Sequence, residues 1–174
     1  DSGTYRLRVG VEPGRPILVT SVTVNVDGEG TLEPAIKKMI AEFPVRQGDR
    51  LRQDIYEAAK ANLEKKTISL GYLDAFYSEH SIRVSLQELS ASINLVLKTG
   101  RQYRFGPVSF TGNPNYPEAF LQRYLAFKPG QVFSQEKLAR TQSNLAGTDR
   151  FKVVTVRGAK EAAVDDAVPV EIGL

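Results

Sequence analysis

The sequence predicts an α+β protein: two tandem β-α-α-β-β modules, each a three-stranded mixed sheet covered on one face by two helices. Three observations carry this. Alternating apolar segments and helical apolar stripes follow one another in a fixed order along the 174 residues. The same order then occurs a second time. The length suits two small domains.

The repeat is visible residue by residue. Leu7–Val24 and Asn94–Phe110 both read as an alternating strand, a short Gly-Arg link and a second alternating strand, with Gly14–Arg15 and Gly100–Arg101 lying 86 positions apart. Gly48 in RQGDRL answers Gly130 in KPGQVF at an offset of 82, and Asn62–Leu63 answers Asn144–Leu145 at the same offset. Tyr72 answers Phe151 at 79. The falling offset predicts a longer second helix in the first module, by about one turn. Residues 1–13 read as the end of a preceding module, with a strand over Thr4–Val11. Residues 14–99 are one module and residues 100–174 the next. Asp1–Ser2–Gly3 leads almost directly into alternation, which reads as a chain cut close to a strand.

In the first module, Val22, Val24 and Val26 alternate with Ser21, Thr23 and Asn25 over Thr20–Val26, the period of a strand buried on one face. Leu32, Ile36, Met39, Ile40 and Phe43 form one helical stripe over Thr31–Phe43, with Thr31 as cap and Pro34 in the first turn. A second helix is expected from about Arg50 to Leu70, with Leu51, Ile55, Ala59 and Leu63 inward, Ala58 beside them, and Gly71 terminating it in the left-handed region. Two extended stretches follow: Leu73–Leu86, then, after a turn at Gln87–Ser90, a strand carrying Ile93, Leu95 and Leu97.

The second module repeats the pattern. Val108 and Phe110 alternate in its first strand, closed by Gly112–Asn113, and Pro117 opens a helix with Phe120, Leu121, Tyr124 and Leu125. Ser134 caps the next helix, flanked by the hydrophobic pair Phe133 and Leu138. Strands are expected over Phe151–Val156 and Val168–Ile172, with a mobile loop over Gly158–Asp166. Arg52 stands where Ser134 caps the other copy, so that helix start lacks its equivalent. Asp149, after the second copy's helix, tolerates the left-handed conformation better than most residues.

Composition narrows the function classes. The net charge is +3, with 23 basic and 20 acidic residues and no cysteine. Disulfides, thiol catalysis and Cys-based zinc sites are thereby excluded. His80 is the single histidine and reads as solvent-facing, so no metal site is expected. Asp165–Asp166 read as solvated. No phosphate loop, dinucleotide fingerprint or nucleophile elbow occurs, so neither a cofactor nor catalytic residues are expected. The basic stretches Arg46–Arg52 and Lys60–Lys66 are interspersed with acids and read as solvated helix faces, compatible with weak contact with anionic lipid head groups. A tandem nucleic-acid-binding module is the reading of another class, supported only by the basic balance. Tyr103, Phe105, Phe120, Tyr124, Phe127 and Phe133 read as core and inter-module packing. A small open sheet has two edges, whose unpaired amides and carbonyls are a template for an incoming strand.

The tandem order, with Arg101–Asn113 (RQYRFGPVSFTGN) followed by Tyr124–Phe133 (YLAFKPGQVF), and with Val11–Pro16 (VEPGRP) and Leu70–Leu73 (LGYL) before it, resembles the POTRA modules of the Omp85 superfamily, nearest to the second and third modules of its TamA-like branch. The resemblance covers nearly the whole chain. It implies the periplasmic part of a bacterial outer-membrane protein that assembles or translocates other proteins without enzymatic activity. The implied partners are unfolded outer-membrane or autotransporter clients, a TamB-like inner-membrane-anchored protein, and a C-terminal β-barrel beyond this chain; nucleic acid is not among them. BamA-like assembly factors and two-partner secretion transporters are the alternatives within the superfamily. The resemblance also places the sheet edge on the second strand of each module: Ser81, Ile82, Arg83, Val84 and Ser85 in one, Lys152, Val153, Val154, Thr155 and Val156 in the other. Gly14, Arg15, Gly100 and Arg101 are the expected hinges, and the short links Glu12–Pro16 and Lys98–Gln102 predict a limited range of inter-module angles. The family often places Gly-aromatic-aromatic after the second helix. Here Gly71–Tyr72 is followed by Leu73, and the second copy reads Asp149–Arg150–Phe151.

Overall fold

The computed structural model describes residues 10, 14–112 and 116–174. Apart from Gly10, the strand expected over Thr4–Val11 lies outside the described residues, as does the turn residue Asn113. The remainder forms two three-stranded mixed sheets. The first has the order β1–β3–β2, with β1 (Leu18–Asp27) parallel and β2 (Phe76–Ser85) antiparallel to the central β3 (Ser90–Lys98). The second has β4 (Arg104–Thr111) parallel and β5 (Thr155–Gly158) antiparallel to the central β6 (Ala167–Gly173).

Each sheet buries one face. Val19, Ile93, Leu95 and Leu97 of the first are almost wholly buried, as are Phe105, Val168, Val170 and Ile172 of the second. Burial of one such side chain stabilises by roughly 1.5–3 kcal/mol. The central strands show the alternation most strictly, with Ala91, Ile93, Leu95 and Leu97 buried and Ser92, Asn94 and Val96 only half-buried. In β1 the buried parity shifts from Val19 to Val22, Val24 and Val26, because a bulge inserts Thr20 between Val19 and Ser21 and one extra residue exchanges the faces.

The helices lie over the buried faces. The first expected helix is shorter than its stripe. Glu29–Leu32 form a 3-10 turn, and α1 runs only over Pro34–Ala41. Glu33 is extended (φ −65°, ψ 117°) because proline bars its predecessor from the helical region, so no helix passes through it. Thr31 therefore caps nothing; its hydroxyl donates to the Gly28 carbonyl. Leu32 leaves the stripe and is exposed, whereas Phe43, beyond the helix, is buried.

The second helix, α2, spans Gln53–Ser69. It starts later than expected because Arg50 is in a bridge with Leu18 and Arg52 is extended without a side-chain cap. Its buried line runs through Tyr56, Leu63 and Thr67, while Ala58 faces solvent. The stripe is thus rotated from the expected one, with Tyr56 and Thr67 missed. The Thr67 hydroxyl donates to the Leu63 carbonyl 2.8 Å away, which lets a polar residue sit in the core.

In the second module α3 is a single turn, Glu118–Leu121, after Pro117, and α4 spans Gln135–Ala146. With 17 residues against 12, α2 is longer than α4 by rather more than one turn. Ser134 accepts from the Lys137 N–H at 3.4 Å as the expected cap, and Phe133 and Leu138 are both buried. Asp149 occupies the left-handed region at φ 54°, as Gly71 does at 93°. Phe105 stacks on Phe127, with ring centroids 3.8 Å apart, and Phe133 leans on the same ring at 4.9 Å, which bears out the core role of these aromatics.

Three strand and loop expectations change. β2 begins at Phe76 and ends at Ser85, leaving Leu86 exposed in the turn. That turn is closed by Leu89 at φ 51°, with Ser90 already in β3. β5 begins only at Thr155, because Thr155 opposite Gly173 is the first pair of its ladder; Phe151–Val154 are not strand. Gly158–Asp166 is held and not a free loop: Gly158 ends β5, Lys160–Ala162 form a 3-10 turn, and Lys160 is paired across the molecule.

Candidate functional site: sheet edges and the junction between modules

Both sheets have two edge strands, β1 and β2 in one, β4 and β5 in the other. The four edges differ in how much main chain they leave unpaired.

The start of β1 is covered by the chain itself. The Val19 N–H donates to the Asp49 carbonyl at 2.8 Å, Gly48 donates back to Val19 at 2.8 Å, and Leu51 donates to Ile17 at 2.9 Å. The second module does the same: Phe105 donates to Gln131 at 2.8 Å, Gly130 to Phe105 at 2.7 Å, and Phe133 to Tyr103 at 2.9 Å. The matching segments RQGDRL and KPGQVF are therefore short edge covers. The sequence shows that they repeat, but not that they pair with a strand, since each makes only an isolated bridge, Leu18–Arg50 and Arg104–Val132.

These bonds also fix which amides point outward elsewhere. Along a strand the side chain's face and the lateral direction of its own N–H and C=O alternate together. Ile17, Val19, Tyr103 and Phe105 use their backbone groups outward, and Val19 and Phe105 face the helices, opposite Ala91 and Val168 of the central strands. Helix-facing residues of the edge strands thus present N–H and C=O to the rim. The Asp27 carbonyl, from the opposite face, accepts from Thr99 on the central-strand side, as the rule requires.

On β2 the rim groups are those of His80, Ile82 and Val84, which pair by register with Leu95, Ile93 and Ala91. Among the described residues no segment covers them. Ser81, Arg83 and Ser85 turn their backbone groups to β3. Val84 is 45% exposed and Phe76, at the strand's start, 53%. The expected site Ser81–Ser85 lies wholly within this ten-residue edge.

The second module is different. Of Lys152–Val156, only Thr155 and Val156 are in β5. Val154 is buried, and its carbonyl accepts from Gln142 Nε2 at 3.0 Å, so a strand cannot extend backward through it. Lys152 and Val153 are exposed outside the ladder.

Gly14 and Arg15 are exposed. Around Gly100–Arg101 the modules meet in a built junction. The Glu29 N–H donates to the Gly100 carbonyl at 3.2 Å, and Tyr103 donates to Gly71 at 2.8 Å. Gln102 donates from its backbone to Glu29 Oε2 at 2.9 Å and from its side chain to Leu70 at 2.9 Å. Arg101 Nη1 donates to the Asp165 carbonyl at 3.2 Å. Leu73, which departs from the family pattern, packs against the core of the second module. Asp74 accepts from the Tyr103 hydroxyl and from the Lys160 ammonium. Lys160 and then Tyr103 hold the Asp74 carboxyl below the usual carboxylate range. Asp74 in turn raises the Lys160 and Tyr103 values. Nothing in composition or periodicity marks Asp74 or Lys160.

His80 is exposed and edge-on to Tyr77, ring centroids 6.5 Å apart. Asp165 is exposed, and Asp166 lies 3.7 Å from Arg104. Among the described residues no helix is long and apolar enough to cross a membrane.

Residues 103–172 match the family model of POTRA, the surface antigen variable number repeat. Solved structures share the tandem fold at low identity. POTRA3-5 of BamA from Haemophilus influenzae is 17% identical with a TM-score of 0.58, over 90% of this chain and 60% of that one. BamA from Haemophilus ducreyi lacking POTRA domains 1-3 is 16% identical with a TM-score of 0.65, over 90% of this chain and 29% of that one. POTRA1-2 of Omp85 from Anabaena is 15% identical with a TM-score of 0.51, over 91% and 95% of the two chains. The chain thus spans less than two thirds of either BamA structure. The match to the POTRA model thus spans most of the second module, and the first module repeats its strand order, helix placement and edge cover.

Proposed function

We propose that this chain is part of the periplasmic arm of an outer-membrane protein assembly factor of the TamA-like branch. It binds unfolded β-rich clients, outer-membrane or autotransporter proteins, by strand addition and passes them to a C-terminal membrane β-barrel beyond Leu174. The observation that carries this reading is the ten-residue rim of β2, where His80, Ile82 and Val84 hold unpaired main-chain groups. Strand addition gains main-chain hydrogen bonds whatever the client's exact side chains, which suits a protein with many clients. Val156, opposite the buried Ile172, offers a shorter second contact, whereas Thr155 turns its backbone groups to β6. Lys152, Val153 and Val154 have no part in it.

The junction supports a second element of the reading. Gly100–Arg101 bends only as far as the bonds across it allow. A TamB-like inner-membrane-anchored protein is the proposed partner of the arm, with anionic head groups as a weak auxiliary contact. The solved structures of matching fold are arms of BamA and Omp85, and this favours a BamA-like assembly factor as the second reading. The TamA-like reading rests on RQYRFGPVSFTGN and YLAFKPGQVF.

The test is binding of a fluorescent peptide taken from a β-strand of an autotransporter barrel. Val84→Pro removes one rim donor and leaves the β2–β3 ladder intact, so affinity is expected to fall about tenfold, the effect of roughly one main-chain hydrogen bond. Unchanged affinity in the folded variant rejects docking on β2.

A further inference from the structure

The edge covers on β1 and β4 stop halfway. Beyond Val19, the seven residues Ser21–Asp27 extend roughly 23 Å at the usual rise, and among the described residues nothing pairs with their outer side. By the chirality argument above, Val22, Val24 and Val26 turn their N–H and C=O to this rim. A groove of about 470 Å³ lies directly beside it, lined by Val22, Val24, Ile40, Phe43, Val45 and Arg46.

The second module builds the same groove from matching positions. Val108 stands for Val22, Leu125 for Phe43, Phe127 for Val45 and Lys128 for Arg46, enclosing about 310 Å³. Val108 and Phe110 carry the outward backbone groups there. Both modules thus present an apolar floor, one cation at the same end and, among the described residues, an unpaired rim.

The cover itself shows what pairs here. Gly48–Leu51 lies antiparallel to the start of β1, as Val132 lies antiparallel to Arg104, so a further strand in line with the cover would continue an interface the protein already forms. We propose that the uncovered half of β1 and of β4 is a second strand-docking rim. It takes an extended polypeptide with alternating apolar side chains and a carboxylate at the end that meets Arg46 or Lys128. This site is on the opposite edge from β2 and does not depend on the reading above.

The two grooves differ in charge. Asp49 accepts from the Arg46 backbone at 2.7 Å, and Gln131 occupies its place beside Lys128 at 3.2 Å. The preference for a carboxylate is therefore stronger at β4 than at β1.

The experiment is amide hydrogen exchange by NMR on the whole two-module chain, with a ten-residue alternating Val/Thr peptide ending in Glu and its counterpart ending in Lys. Saturation with the Glu peptide is expected to slow exchange at Val22, Val24, Val108 and Phe110 by tenfold or more. The Glu peptide should bind at least threefold tighter than the Lys peptide. Lys128→Glu, at an exposed site, should reverse that order at β4. Val24→Pro should abolish the slowing at Val22 while leaving that at Val108. Slowing confined to His80, Ile82 and Val84 overturns this proposal and leaves β2 docking standing. Equal affinity for the two peptides, or no slowing at any rim residue, also overturns it.

Discussion

The Tyr103 hydroxyl donates to Asp74 across 2.5 Å, although the two residues belong to different modules and lie 29 positions apart. Lys160, from the 3-10 turn after β5, reaches the same carboxylate and lies over the Tyr103 ring at 5.8 Å from its centroid. One carboxylate in the loop after α2 therefore ties together the link and the loop after β5, and bending at Gly100 has to break these bonds.

Asp74→Ala is expected to loosen the junction without unfolding either module. Losing one charge-assisted hydrogen bond and one partly exposed ion pair corresponds to about 1–2 kcal/mol. Small-angle scattering should show a broader range of inter-module distances, and proteolysis within Lys98–Gln102 should accelerate several-fold. Core amides such as Leu95 and Val170 should keep their protection.

The same cluster predicts a pH window. The folded pKa of Asp74 is lowered, so its contribution is complete above the unfolded carboxylate value near 4 and is lost as pH falls through the folded value. Those of Lys160 and Tyr103 are raised, so theirs is complete below about pH 10 and is lost as pH rises through the folded values. Scattering should report a constant junction across neutral pH and loosening at both extremes. The effect is modest, since the Asp74 and Lys160 side chains are 43% and 37% exposed.

Gly71→Ala should destabilise by about 2 kcal/mol or more. At φ 93° an L side chain is strained, and the new Cβ meets Val132 Cγ1 at 2.7 Å and the Tyr103 carbonyl at 3.1 Å. The left-handed region alone costs roughly 1–2 kcal/mol. Because both neighbours belong to the second module, urea unfolding should show the loss together with the junction signature of Asp74→Ala.

Prolines at adjacent positions of β2 should behave differently. Arg83→Pro removes an amide turned to β3 and should cost about 3 kcal/mol, visible as a lower thermal midpoint. Val84→Pro removes an amide turned to solvent and should cost about 1 kcal/mol or less.

Helix starts provide a paired test. Ser134→Ala should cost up to about 1 kcal/mol by removing the bond to Lys137. Arg52→Ser should add about 0.5 kcal/mol by supplying the cap that α2 lacks, less the small value of the exposed Arg52–Asp54 pair. Chemical denaturation of the two variants should move the midpoint in opposite directions.

Much of the architecture was legible in the sequence. Ile93, Leu95 and Leu97, the Ser134 cap, and the left-handed Gly71 and Asp149 all depend on neighbours within a few residues, and periodicity reports such neighbours directly. The misreadings share one cause. Glu33 before Pro34, Arg50 bridged to Leu18, and Val154 bonded to Gln142 each ended or displaced an element through a constraint that overrode the apolar pattern.

The sequence by itself determined the β-α-α-β-β order, its duplication and the buried faces, because periods of two and 3.6 are properties of the local chain. Only the tertiary structure decided which edges stay open and how the modules are joined. The covers at Gly48–Leu51 and Gly130–Phe133, like the Asp74–Tyr103–Lys160 cluster, bring together segments tens of residues apart. No local pattern records such a pairing, because main-chain hydrogen bonds and single ion pairs leave no periodic trace.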